Sequence, residues 1–307
     1  MPLFSVVIPL YNKENWIAET VQSVLCQTFS DFEIIVIDDG STDRSVSIIN
    51  KIQDEKIKLF SKNNEGAAAA RNLGILKATG KYIAFLDGDD LWNCDYLQNM
   101  ALLIEQFRDQ DVFSVAIEIE NNGVVSKAAY SIPTSEKPQV IDFFEGSMKY
   151  TALSSSSAVF KKSVFEKAGT FDPSLKTGED TDLWIRIGLK YKIVFSLGIG
   201  ARYRDAADSL SKNIIDYSQK PDFLKYNEFA NETIYIRKYL DLNRFSIALK
   251  AKIAGDQKSY RRFKKALNFK NLTLKQRLLL HFPAVLLRKI YKLKRFLDQK
   301  NIKISAF

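Results

Sequence analysis

From Phe4 to Ile119, apolar runs rich in β-branched residues alternate with helical patterns, and this alternation limits the fold more than any other feature of the chain. Phe4 to Ile8, Phe32 to Ile37, Ile57 to Ser61, Tyr82 to Leu86 and Val112 to Ile119 read as strands. Between them Glu14 to Gln27, Arg44 to Ile52, Gly66 to Thr79 and Asp95 to Phe107 read as helices. The first helix carries Ile17, Val21, Val24 and Leu25 at the spacing of one buried stripe. Units of strand, helix and strand build a mainly parallel sheet with helices on its faces. The expected fold class is therefore α/β, Rossmann-like, and in such sheets ligands bind beyond the carboxyl ends of the strands.

Further along, residues 121–150 are polar and irregular and read as an inserted loop. Ser156 to Phe160 reads as a strand, Ser163 to Ala168 as a short helix and Asp180 to Lys190 as a longer one, with one or two strands over Lys192 to Tyr203. After Ser211 the pattern is helical and basic. The expected organisation is a domain over 1–211, in halves of 1–110 and 111–211, followed by a basic helical extension over 212–307. Charge marks the same division: the chain carries +9 overall, yet the part from Asp241 onward carries +15 and the rest −6. An acidic body is a poor nucleic-acid binder, and the tail lacks a nucleic-acid-binding motif, so no nucleic-acid partner is expected.

With 46% hydrophobic and 26% charged residues the chain is globular, neither collagen-like nor disordered. Cys26 and Cys94 have neither metal-ligand nor disulfide-framework spacing, which suits a reducing compartment. The first strand follows Met1 too closely for a secretory leader, and the run Leu278 to Leu287 is too short, and interrupted by His281 and Pro283, to span a membrane. A cytoplasmic location is expected.

Two acidic turns follow strands: Asp38-Asp39-Gly40-Ser41-Thr42-Asp43, and Asp87-Gly88-Asp89-Asp90. Either alone is an ordinary turn and helix cap. Together at one sheet edge, clustered carboxylates repel by about 1 kcal/mol per pair at 4 Å even in water, and hard oxygen ligands of this kind suit Mg²⁺ or Mn²⁺.

These turns belong to a longer series: Ser5-Val6-Val7-Ile8-Pro9-Leu10-Tyr11-Asn12, the first acidic turn, Asn64-Glu65-Gly66 with Ala70-Arg71-Asn72-Leu73-Gly74, then Phe85 to Trp92, then Gly178-Glu179-Asp180-Thr181-Asp182-Leu183-Trp184-Ile185-Arg186. The series, in order over residues 3–211, resembles the family 2 inverting glycosyltransferases of the A-type nucleotide-sugar-binding fold. The resemblance implies a nucleotide-binding first half, an acceptor-side second half, and transfer of a sugar from a nucleotide diphosphate donor, a UDP-sugar, to a glycan or lipid-linked acceptor. It implies that Pro9 and Tyr11 floor the nucleoside site, Asp39 accepts the uracil N3 proton, and Arg71 lines the nucleotide pocket as a partner of Asp39 or of the donor phosphates. Asp87 is implied at the ribose or metal-bound water, Asp89 as the ligand of Mn²⁺ or Mg²⁺, and Asp180 as the catalytic base. Glu179 and Trp184 fall on the acceptor side or support the helix. Read without the resemblance, Tyr11 is strand-end packing, Arg71 a helix-surface ion pair, and Glu179 and Asp180 helix-cap acids.

The chain departs from the family where a histidine that can complete the metal site often follows a Tyr-Arg pair: Tyr203-Arg204-Asp205-Ala206 places alanine there, so metal binding either rests on Asp89, phosphate oxygens and water or recruits Asp205 or Asp208. In the tail, Pro283 begins a basic amphipathic pattern with Leu286, Ile290, Leu293 and Leu297 on one stripe. Such a helix either lies on an anionic membrane surface or packs its stripe against protein. The first alternative places the enzyme at the cytoplasmic membrane face, in surface polysaccharide or glycolipid assembly. Competing readings are a catalytically silent, membrane-associated relative and a nucleotidyltransferase, though the latter's Gly-rich phosphate loop is missing. A nicotinamide-dependent oxidoreductase is disfavoured by the absence of its glycine fingerprint after a strand.

Overall fold

The computed structural model describes residues 1–121, 123–135, 137–204 and 216–299. The chain divides into two compact units, Met1–Asn121 with Val125–Ala206, and Asn122–Val124 with Ala207–Phe307. The first unit follows the predicted alternation: β1 (Phe4–Leu10), α1 (Ile17–Leu25), β2 (Phe32–Asp38), α2 (Ser45–Lys51), β3 (Ile57–Ser61), α3 (Ala67–Lys77), β4 (Tyr82–Phe85), a two-residue β5 (Leu91–Trp92), α4 (Tyr96–Gln106) and β6 (Val112–Asn121). Where the sequence reads as an inserted loop, the chain forms β7 (Val124–Lys127), β8 (Gln139–Ile141) and the short α5 (Phe143–Gly146). Then come β9 (Ala158–Lys161), α6 (Ser163–Ala168), α7 (Glu179–Gly188) and one long strand, β10 (Ile193–Arg204).

The strands form one sheet in the order β3-β2-β1-β4-β9-β6-β10-β5, with β7 on β6 and β8 on β10. β1, β2, β3 and β4 run parallel. β9 is antiparallel to both β4 and β6, so β6 and its parallel partner β10 point the same way as β4. The sheet is therefore mainly parallel. β2 is buried along its whole length, as the apolar run requires of a strand covered on both faces. Ile17, Val21 and Val24 of α1 are buried in the core that Phe4, Val6 and Ile8 of β1 share. On the other face α3 comes so close to β1 that a Cβ at Gly74 would lie 2.1 Å from Val7 Cγ1. Only glycine permits that approach.

The second unit is helical among its described residues: α8 (Ile234–Ala254), α9 (Gln257–Lys265), α10 (Leu274–His281) and α11 (Ala284–Gln299), with 3₁₀ turns between. Phe245, Leu249, Phe263, Leu280 and Leu287 form its apolar core. The buried Arg244 is satisfied by Asn227 at 2.7 Å, Asp241 at 3.2 Å and the carbonyls of Asp222 and Phe223. Among the described residues no helix is long and apolar enough to cross a membrane.

Candidate active site

β1, β2 and β4 are parallel and end at Leu10, Asp38 and Phe85, so the segments that follow them leave the sheet at one edge. Tyr11 is exposed there, beyond the half-buried Pro9. β9 runs the other way, which brings Ser156, just before its start, to the same edge. The end of β10 delivers Arg204 there.

Asp39 is buried, and its carboxylate accepts Lys62 Nζ at 2.8 Å and the backbone N–H groups of Glu65 at 3.1 Å and Gly66 at 2.7 Å. It thereby holds the turn that starts α3, where Gly66 takes φ 94°. Arg71, one turn further, bonds to neither Asp39 nor open solvent. Its guanidinium, 8% exposed, binds Asp87 at 2.7 Å and Glu179 at 3.1 Å and lies 5.3 Å from the Phe171 ring centroid. The expected pairing with Asp39 and the surface ion pair are both corrected here. Lys62 and two backbone donors already serve Asp39, and α3 turns Arg71 inward. Burial works against the Arg71 charge, but Asp87 and Glu179 outweigh it and raise its pKa.

The second acidic turn is met by protein cations. Lys13 Nζ lies 2.6 Å from Asp89 Oδ2. Asp90, fully buried, accepts the Ser156 hydroxyl at 2.5 Å and the Arg204 N–H at 3.0 Å. The Arg204 guanidinium donates to the Asp89 carbonyl and pairs with Glu19, 4.7 Å from the Trp16 ring centroid. Burial and the charges of Asp87 and Asp89 push the Asp90 carboxyl well up. Burial likewise raises Asp89, with the Lys13 charge opposing it. Clustered acids at this edge thus do not by themselves demand a metal, because Lys13, Arg71 and Lys62 already offset them.

The donor chemistry nonetheless fits one. Asp87 and Asp89 flank Gly88, with Lys13 engaging one oxygen of Asp89 and Arg71 one oxygen of Asp87. Mg²⁺ and Mn²⁺ bind through one or two such carboxylates plus substrate phosphates. Among the described residues no three His, Cys, Asp or Glu side chains gather into a metal-binding group. Asp205, Ala206 and Asp208 lie outside the described residues. His281 ends α10, exposed, its Nδ1 2.8 Å from the Arg277 carbonyl.

At the start of α7, Gly178 adopts φ 81° and Glu179, Asp180 and Asp182 occupy the first turn, where the helix dipole favours negative charge. Burial and the neighbouring Asp180 charge raise the Glu179 carboxyl, against the pull of Arg71. Asp180 Oδ1 accepts the Thr181 N–H at 2.6 Å. Desolvation raises the pKa of the half-buried Tyr150, and the charges of Asp90 and Asp180 add to the shift. Trp184 is buried and stacks on Phe160 at 5.2 Å and 6°.

Direct contacts therefore join Asp87, Arg71 and Glu179, with Asp89 two residues beyond Asp87 and Asp180 next to Glu179 in the chain. Asp39 is tied to the same edge through the start of α3. Sequence reasoning passed over Lys13, Lys62, Tyr150, Ser156 and Arg204. For Lys13 and Lys62 a signal existed: each is a lone cation just beyond a strand end on the ligand-binding edge.

Residues 5–169 match the family model for glycosyl transferase family 2. An uncharacterized glycosyltransferase of Rickettsia felis is 38% identical over 201 residues, 62% of this chain and 31% of the relative, so the chain matches about a third of that relative's length. Escherichia coli WfaP, a UDP-Glc:alpha-D-GlcNAc-diphosphoundecaprenol beta-1,3-glucosyltransferase, is 34% identical over 225 residues, 69% of this chain and 81% of WfaP. The crystal structure of S. aureus TarS 1-349 in complex with UDP-GlcNAc superposes with a TM-score of 0.73 at 22% identity, covering 99% of this chain and 95% of that one. At that identity the likeness speaks for the fold.

Proposed function

This chain belongs to glycosyl transferase family 2, and on that premise we propose that it moves a sugar from a UDP-sugar to a glycan or lipid-linked acceptor, with inversion, in surface polysaccharide or glycolipid assembly. The lipid-linked acceptor in the WfaP name and the UDP-GlcNAc in the TarS complex support that choice of partners. The observation that carries the reading is the Arg71 bridge, which sets the Asp87-Gly88-Asp89 turn against the start of α7 beside Asp180.

In this reading the exposed Tyr11 ring stacks on the base above Pro9, Asp39 accepts its N3 proton, and Asp87 faces the ribose. Asp89, with Asp87 beside it, would hold Mn²⁺ or Mg²⁺, which would supply charge neutralisation for the departing diphosphate. Asp180 takes the proton of the acceptor hydroxyl as that oxygen bonds to the anomeric carbon from the face opposite the breaking bond to diphosphate. Asp180 sits in the first turn of α7, where the helix dipole favours negative charge. Arg71, by engaging Glu179, leaves Asp180 as the carboxylate for proton transfer. The exposed apolar and basic residues of α11, among them Val285, Leu286, Lys289 and Lys292, suit association with an anionic cytoplasmic membrane face.

A thermal-shift panel of nucleoside diphosphates and nucleotide sugars, with and without Mn²⁺, tests the donor. UDP and a UDP-sugar should raise Tm, more so with Mn²⁺, since a ligand at a hundred times its Kd stabilises by about 2.7 kcal/mol. No response to any uridine nucleotide would refute the proposal.

A further inference from the structure

Lys13 occupies an unusual place for a lysine. Its backbone is fixed: the N–H donates to Ser45 Oγ at 2.7 Å, and the carbonyl accepts the N–H groups of Trp16 and Ile17, both at 2.9 Å, at the entry to α1. Asn12, just before it, takes φ 50°. From this anchored turn the side chain crosses Gly88, where an added Cβ would lie 3.5 Å from Lys13 Cγ and 3.2 Å from the Pro9 carbonyl oxygen. The ammonium ends on Asp89 Oδ2, and both side chains are 12% exposed. The other cations nearby are spoken for: Arg71 serves Asp87 and Glu179, while Arg204 takes the Asp89 carbonyl and Glu19.

We infer that Lys13 is a built-in counter-cation of Asp89 that a divalent metal must displace to bind, so that Lys13 sets the metal affinity of the donor site. This rests on the reading of Asp89 as the metal ligand. A single ammonium neutralises the carboxylate in the donor-free protein at a depth where an unpaired charge is costly. Lysine suits the part because its charge is compact and its four-carbon stem is flexible, so it can leave Asp89 without moving the backbone. A guanidinium would hold the carboxylate with a more rigid fork.

The test titrates the full chain with Mn²⁺ alone at pH 8, reading free Mn²⁺ by electron paramagnetic resonance. Lys13→Met keeps much of the stem and removes the charge, and it should tighten Mn²⁺ binding about tenfold, the scale of a partly screened ion pair. Lys13→Arg, which restores a cation, should bind Mn²⁺ no more tightly than the unaltered protein. Calorimetry with UDP on the same samples establishes that each variant is folded. Equal Mn²⁺ affinity in Lys13→Met and unaltered protein overturns the role of Lys13 while leaving the metal site standing. Absence of Mn²⁺ binding in both overturns the metal site as well.

Discussion

At position 71 a buried guanidinium is shared between two carboxylates that lie far apart in the chain, Asp87 and Glu179. A guanidinium cannot shed its charge at that depth, so its burial depends on both acids to compensate it. The pairing separates two adjacent acids: Glu179 is engaged, and Asp180 is positioned by the first turn of α7. Asp180→Asn keeps shape and turn geometry while removing the proton acceptor. It should lower the transfer rate by about 10²- to 10⁴-fold, the usual contribution of a general base, with UDP affinity nearly unchanged. Single-turnover transfer and UDP calorimetry on the same sample check this, and undiminished turnover would take Asp180 out of its role. The residue types in the acidic turns were legible from sequence, but their partners were not. Asp39 illustrates this: its carboxylate meets Lys62 and backbone donors, whereas sequence reasoning offered it Arg71.

Glu33 of β2 ties elements together at the opposite end of the sheet. Its carboxylate accepts the Ser5 hydroxyl of β1 at 2.6 Å, Lys58 of β3 at 2.8 Å, and the Thr79 N–H and hydroxyl after α3, both at 2.7 Å. Burial pushes its carboxyl up, yet these bonds outweigh burial and hold it at about 2, below its ordinary 4.5. A folded-state pKa below the unfolded one adds stability that is complete above 4.5 and is lost as pH falls toward 2; the depression corresponds to about 3 kcal/mol. Glu33→Gln should cost a comparable amount at pH 7 and flatten the fall in stability between pH 4.5 and 2. Urea melts at both ends of that window measure it, and an unchanged slope would remove Glu33 from this part. Elements with strong periodicity, such as α1 and β2, were legible in the sequence. The strands β7 and β8 were not, because short pairings at the margin of a sheet carry too few alternating positions to stand out from a polar loop.

Over the whole molecule, charge is divided as the sequence states, with +15 from Asp241 onward and −6 before it. In the second unit α11 buries Leu287, while Leu286 is 41% and Leu293 57% exposed, so two members of the predicted stripe face outward. Arg288 donates to the Ile253 carbonyl at 2.8 Å, and Lys289 and Lys292 are exposed near the exposed Val285 and Tyr291. Each such cation near an anionic bilayer contributes about 1 kcal/mol. The double variant Lys289→Glu with Lys292→Glu leaves the buried Leu287 in place and should lose flotation with phosphatidylserine vesicles at low salt. Equal flotation of both proteins would remove α11 as the contact.

The order of the strongly periodic strands and helices, the acidic turns after β2 and β4 and the basic tail were determined by the sequence alone, because hydrophobic period and turn chemistry are local properties. Which cation faces which acid was decided only in three dimensions. Lys13 meets Asp89 across 76 residues and Arg71 meets Glu179 across 108. Those pairings follow from β1 lying between β2 and β4 and from the packing of α3 and α7, and no local pattern encodes where a side chain will find its opposite charge.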